Sequence, residues 1–134
     1  MIVVDSNIVA YCWLSGPLTA SAQAVRVRDP EWHVPILWRS ELRSILTGYL
    51  RDGTLSRAQV ARVMETAEDA LMAGEHLVPS AEVFGFAERS RLSAYDCEFV
   101  VLASMLSVPL VTADKAVLKA FPAVALTMDA FLAG

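Results

Sequence analysis

Two rhythms of apolar positions alternate along this chain. Short continuous apolar runs are separated by longer stretches in which apolar residues recur every three to four positions. Met1-Ile2-Val3-Val4 is too short a run for a helix and reads as a central parallel strand, apolar on both faces. Trp32-His33-Val34 before Pro35, His76-Leu77-Val78 before Pro79, Leu110-Val111-Thr112 and Val124-Ala125-Leu126 read as further strands. Helices are predicted from Ile8 to Leu14, with Ser6 or Asn7 as cap and Gly16-Pro17 as stop, and from Thr19 to Arg28, with Leu18, Ala22 and Val25 inward. Leu37 to Arg51 carries a core stripe of Leu42, Ile45, Leu46 and Tyr49. The capping box Ser56-Arg57-Ala58-Gln59 opens a helix to about Met72, and Ser80 caps another to about Arg91. A short helix near Phe121 and a last turn from Met128 to Leu132 complete the series. Strands alternating with helices specify an α/β domain, residues 1–134, with a parallel sheet of four to five short strands and right-handed crossovers.

One stretch, Ser93 to Asp114, is apolar with a carboxylate at each end. Asp96, Phe99, Val100 and Ala103 share one helical face, so a helix entered through Ser93 carries Asp96 inward in its first turn. Ser107-Val108-Pro109 breaks that helix, and the strand Leu110-Val111-Thr112 delivers Asp114 just past its carboxyl end. In open α/β sheets the crevice beyond the strand carboxyl ends is where ligands bind.

Composition narrows the picture. The 55% hydrophobic content is high, yet no apolar run reaches the ~18 residues of a membrane span. The surplus suggests strands buried on both faces, or a subunit interface. Asp5 interrupts the apolar start and no basic region precedes it, so no signal peptide is read and a cytoplasmic location is expected. Cys12 and Cys97 lack metal-ligand spacing and read as small buried hydrophobes of a reducing compartment. A net charge of −4 argues against indiscriminate nucleic-acid binding but leaves room for a local basic patch.

Four carboxylates carry the candidate chemistry. Asp5 and Asp114 follow buried strands, where each could simply cap a helix. Ser93-Ala94-Tyr95-Asp96 could be no more than a capping box. Glu41, in the column Leu37, Glu41, Ile45, is harder to dismiss, although Arg39, Arg43 or solvent could satisfy it. A parallel topology brings all four toward one sheet edge. Carboxylates ~5 Å apart at an effective dielectric of ~20 repel by roughly 3 kcal/mol per pair. A cluster without internal ion pairs calls for a cation, and an all-oxygen set suits Mg²⁺ or Mn²⁺. Such an ion supports phosphodiester hydrolysis by activating water and neutralising the attacked phosphate.

The segments VVDSNIVAY, SELRSIL, SAYDCEFVVLA and LVTADKAVLKAF resemble, in order and over nearly the whole chain, the motifs of a PIN domain. In size and layout the chain is most similar to VapC-type ribonuclease toxins of bacterial toxin–antitoxin pairs. The resemblance implies a PIN-like fold and a metal-dependent endoribonuclease. It carries the acidic metal site onto Asp5, Glu41, Asp96 and Asp114, and a hydroxyl supporting role onto Thr112, with Asn7 or Ser6 beside the metal. It also implies a cognate antitoxin, expected to meet the carboxylates with Arg or Lys.

The remaining candidates draw plainer readings. Glu98 is expected to be solvated, His33 and His76 structural, and Trp13, Trp32 and Trp38 core or interface. Lys115, Lys119, Arg39 and Arg43 flank the acids in sequence and could contact RNA phosphates. The long hairpin from Leu37 to Met72 is the expected contact for a homodimer or partner. A phospho-accepting receiver-like domain is the first rival, disfavoured because no second acid accompanies Asp5. A phosphatase with an Asp-x-Asp nucleophile is disfavoured by Asn7, and a PIN-like module that only binds is disfavoured by the intact acidic set.

Overall fold

The computed structural model describes residues 1–134 as five strands and eight helices. In chain order these are β1 (Ile2–Val4), α1 (Ser6–Trp13), α2 (Thr19–Arg28), β2 (Trp32–Pro35), α3 (Trp38–Arg51) and α4 (Arg57–Leu71). After a 3₁₀ turn at Met72–Gly74 come β3 (Glu75–His76), α5 (Ser80–Glu88), α6 (Ala94–Leu106), β4 (Leu110–Val111), α7 (Lys115–Ala120), β5 (Ala125–Leu126) and α8 (Met128–Ala133). The strands form one parallel sheet in the order β3-β2-β1-β4-β5. This is the expected α/β architecture, consistent with a PIN-like fold. No helix is long and apolar enough to cross a membrane.

Strand β1 takes the centre because all three of its residues are apolar. Successive side chains point to opposite faces, and Ile2, Val3 and Val4 are all buried, so both faces are covered. Helix α6 packs against β1, β2 and β4, and α5 packs against α6. Cys97 and Val101 accordingly join Val83 in a small cluster of their own, while Phe99, Val100 and Ala103 belong to the main core. Helix α6 is apolar around most of its circumference because it is covered from two directions.

Several local expectations shift. Helix α1 is capped by Asp5, not by Ser6 or Asn7; Asp5 accepts from the Ser6 N–H at 2.7 Å. The third strand is Glu75–His76, earlier than His76-Leu77-Val78, and Leu77 is 83% exposed. Glu75 pairs with Val34, and its carboxylate is held by Arg39, which fixes the register one residue early. Ser80 begins α5 without capping it and the helix stops at Glu88, short of Arg91. Leu18 and Tyr49 are exposed, whereas Trp38 at the start of α3 is fully buried. Cys12 and Cys97 are free and buried.

Candidate active site

The carboxyl ends of β1 and β4 lie side by side, because Val4 pairs with Val111 in parallel register. The chain leaves β1 at Asp5 and β4 at Thr112, so those two residues meet. Thr112 is buried and donates its hydroxyl to Asp5 Oδ2 at 2.6 Å, while accepting the Asp114 N–H at 3.0 Å. Asp114 in turn accepts from Ala116 N at 2.8 Å and Val117 N at 3.2 Å through Oδ1, capping α7. On the other side, buried Ser6 donates to Glu41 Oε1 at 2.7 Å, joining the start of α1 to α3.

Asp5, Glu41, Asp96 and Asp114 line a single cavity of about 420 Å³, with Ser6 and Asn7 beside Asp5. That volume lies in the range of small-ligand pockets. None of the lining residues is Lys or Arg. Three residues that sequence reasoning passed over also line it: Ser40 and Ser44 on α3, and Tyr95 on α6. Their only mark in the sequence is nearness to an acid: Ser40 and Ser44 lie on the helix of Glu41, and Tyr95 immediately precedes Asp96. Thr112 does not line the cavity and reaches it only through its hydrogen bonds to Asp5 and the Asp114 backbone.

The capping alternatives prove true in part without removing the acids from the cavity. Asp5 and Asp114 are helix caps and cavity walls together. At α6 only half of a capping box forms: the Ser93 hydroxyl accepts from Asp96 N at 3.1 Å, and no return bond from the Asp96 carboxylate is made. That carboxylate is left facing the cavity.

Burial holds three of these acids above the usual carboxylate range. Asp5 is raised first by burial and then by the charges of Asp96 and Asp114, with Thr112 and Ser6 opposing through hydrogen bonds. Glu41 is raised by burial and by Asp5, Asp96 and Glu98, against the Ser6 hydrogen bond. Asp96 is raised by burial and by Asp114. Glu98 is therefore not simply solvated; it is half-buried, its own pKa is raised by that burial, and its charge reaches Glu41. Oxygen donors with no balancing cation match the coordination chemistry of Mg²⁺ or Mn²⁺. No three His, Cys, Asp or Glu side chains are drawn together tightly enough to hold a metal as they stand. Asp5, Glu41 and Asp114 each commit oxygen atoms to the hydrogen bonds just described.

The basic residues that flank these acids in sequence do not enter the cavity. Arg39 is paired with Glu75 at 2.6 Å and with Glu68, tying α3 to α4 and β3. His33 and His76 hydrogen-bond each other at 2.7 Å across β2 and β3. Trp13 packs edge-on against Trp32 with ring centroids 5.9 Å apart, and both face Arg26.

No protein-family model matches this chain, and no curated protein matches it. Solved structures do. The crystal structure of PAE2754 from Pyrobaculum aerophilum superposes with a TM-score of 0.78 at 19% identity, over 98% of this chain and 93% of that one. A chain of a toxin–antitoxin complex from Klebsiella pneumoniae gives 0.69 at 15% identity, over 96% and 98%. Both align along nearly their whole length, and at these identities the likeness concerns the fold.

Proposed function

We propose that this protein is a metal-dependent endoribonuclease and the VapC-like toxin of a toxin–antitoxin pair. One observation carries the reading: four carboxylates, two at strand-to-helix joints and two on helices α3 and α6, line one cavity beyond the strand carboxyl ends, with no cationic side chain among them. Asp5, Glu41, Asp96 and Asp114 would hold Mg²⁺ or Mn²⁺. Bound there, the ion supplies a Lewis acid that activates water and offsets the charge of the attacked phosphate.

The chain's own residues prepare that site. Thr112 orients Asp5 and steadies the backbone at Asp114. Ser6 orients Glu41. Raised carboxyl pKa values keep the acids ready to bind either a proton or a cation. The toxin role is supported by the likeness to the Klebsiella pneumoniae complex, and it implies an antitoxin that covers the acidic cavity with a basic side chain. A cytoplasmic homodimer completes the reading. Sedimentation at micromolar concentration tests the dimer, and a pure monomer would remove it.

A second reading, a PIN-like module that binds RNA without cutting it, is favoured by the absence of a tightly drawn metal cluster. The deciding experiment incubates purified protein and RNA with Mg²⁺, Mn²⁺ or EDTA. Cleavage that needs the metal, stops with EDTA and is lost in Asp5→Asn supports the nuclease. Full activity in Asp5→Asn would sink the site, and binding without cleavage would favour the module.

A further inference from the structure

We infer, resting on the ribonuclease reading above, that Tyr95 is the stacking platform for an unpaired nucleobase next to the scissile phosphate. The acidic cavity holds no Lys or Arg, so its walls offer an RNA strand no direct cationic contact. They do offer one aromatic ring. Tyr95 lines the cavity and is 64% exposed, and the other apolar lining residues are the aliphatic Leu37 and Ile45.

The backbone that carries the ring is fixed. Ser93 caps α6 and accepts from Asp96 N at 3.1 Å, which fixes the first turn and sets Tyr95 directly ahead of Asp96. A tyrosine has only two side-chain torsions to order, so a fixed backbone makes it a low-entropy contact surface. The protein's own ring pairs are Trp13–Trp32, His33–His76 and Phe86–Phe121, and its arginines stack on Trp13, Trp32, Trp38, Phe86 and Phe131. Tyr95 takes part in none of these. A single exposed apolar residue is ordinary. This one stands beside a carboxylate of the candidate site, where a strand must pass.

Stacking accepts any base, because every base has a π-face, and it requires that the base be unpaired. The site therefore selects single-stranded RNA or loops without needing a base-specific hydrogen bond. A stacked base also brings its adjoining phosphate toward Asp96.

The test uses Tyr95→Ala, Tyr95→Phe and wild type in steady-state cleavage with Mg²⁺. After the cut is mapped, 2-aminopurine is placed at each flanking position of that RNA and binding is read in EDTA, where cleavage stops. The expected result is a KM in Tyr95→Ala raised roughly ten- to hundredfold with kcat much less affected, and loss of 2-aminopurine quenching. Tyr95→Phe should keep both near wild type, because the ring and not the hydroxyl does the stacking. Wild-type KM and unchanged quenching in Tyr95→Ala, beside an active wild-type enzyme, would overturn the inference alone. A Tyr95→Phe protein as impaired as Tyr95→Ala would overturn it too, pointing to the hydroxyl. Wild-type protein that cleaves no RNA would overturn the ribonuclease reading and this inference with it.

Discussion

Thr112 holds Asp5 and Asp114 together: its hydroxyl donates to Asp5 Oδ2 at 2.6 Å and accepts from Asp114 N at 3.0 Å. One buried side chain thus links the ends of β1 and β4, orienting the Asp5 carboxylate and holding the backbone at Asp114. Valine has the same branched shape without the hydroxyl. Thr112→Val should therefore leave a carboxylate oxygen and a backbone N–H short of a partner, costing about 1–3 kcal/mol. The Asp5 pKa should rise further, because Thr112 now opposes the effect of burial. Thermal melting and an NMR titration of Asp5 check both, with Thr112→Ser expected to stay close to wild type. A Thr112→Val protein as stable as wild type would mean that this link contributes nothing.

Gly74 ends the 3₁₀ turn that leads into β3. A Cβ there would stand 2.2 Å from the backbone carbonyl oxygen of Trp32. Since both sides of that clash are backbone, relief requires β2 and β3 to separate. Gly74→Ala should cost roughly 1–3 kcal/mol or more, as overpacking does. Gly85, with open space around its Cβ position, is the control. Equal melting temperatures for Gly74→Ala and Gly85→Ala would contradict this packing.

Arg39 is committed to ion pairs within the fold. Its guanidinium joins Glu68 of α4 and Glu75 of β3, and Glu75 also accepts from Trp38 Nε1 at 2.9 Å. Arg39→Met should lower the melting temperature while leaving the KM for RNA unchanged. A raised KM with unaltered stability would restore the phosphate-contact role.

The raised carboxyl groups give a pH signature. For Asp5, Glu41 and Asp96 the folded state binds protons more tightly than the unfolded chain, because burial and neighbouring acids raise their pKa. Their contribution to stability is complete below the ordinary carboxyl values of 3.8 and 4.5, and is lost as pH rises through the raised folded values. Glu75 behaves oppositely. Arg39 lowers its pKa, so its contribution is present above the ordinary value of 4.5 and is lost as pH falls through the depressed one. Asp96→Asn should therefore match wild-type stability near pH 3, exceed it increasingly as pH rises through the raised Asp96 value, and keep that margin to neutrality in metal-free buffer. Melting curves across that range give the comparison. A stability difference that does not vary with pH would contradict the raised Asp96.

Much of this was legible in the sequence, for physical reasons. A continuous apolar triplet such as Ile2–Val4 has few homes other than the middle of a parallel sheet, and it is found there. The Ser56–Gln59 capping box and the Ser107 stop, which adopts a left-handed φ of 55°, rest on local chemistry and were readable for that reason. Strand β3 was misplaced because its register depends on Arg39 reaching Glu75 from another element, which no local pattern reveals. The same long-range pairing hid the structural role of Arg39. In the cavity, the acids announced themselves by their unfavourable setting, whereas Ser40, Ser44 and Tyr95 are ordinary surface residues until the fold gathers them.

A metal titration of thermal stability asks whether the four acids act as one site. At neutral pH the melting temperature of the wild type should rise with the logarithm of free Mn²⁺ or Mg²⁺ above Kd, equivalent to about 2.7 kcal/mol at a hundred times Kd. EDTA should return it to the starting value. Asp96→Asn should begin more stable without metal and show a smaller shift with it. A wild-type protein indifferent to both ions, or an Asp96→Asn protein with an undiminished shift, would contradict the account.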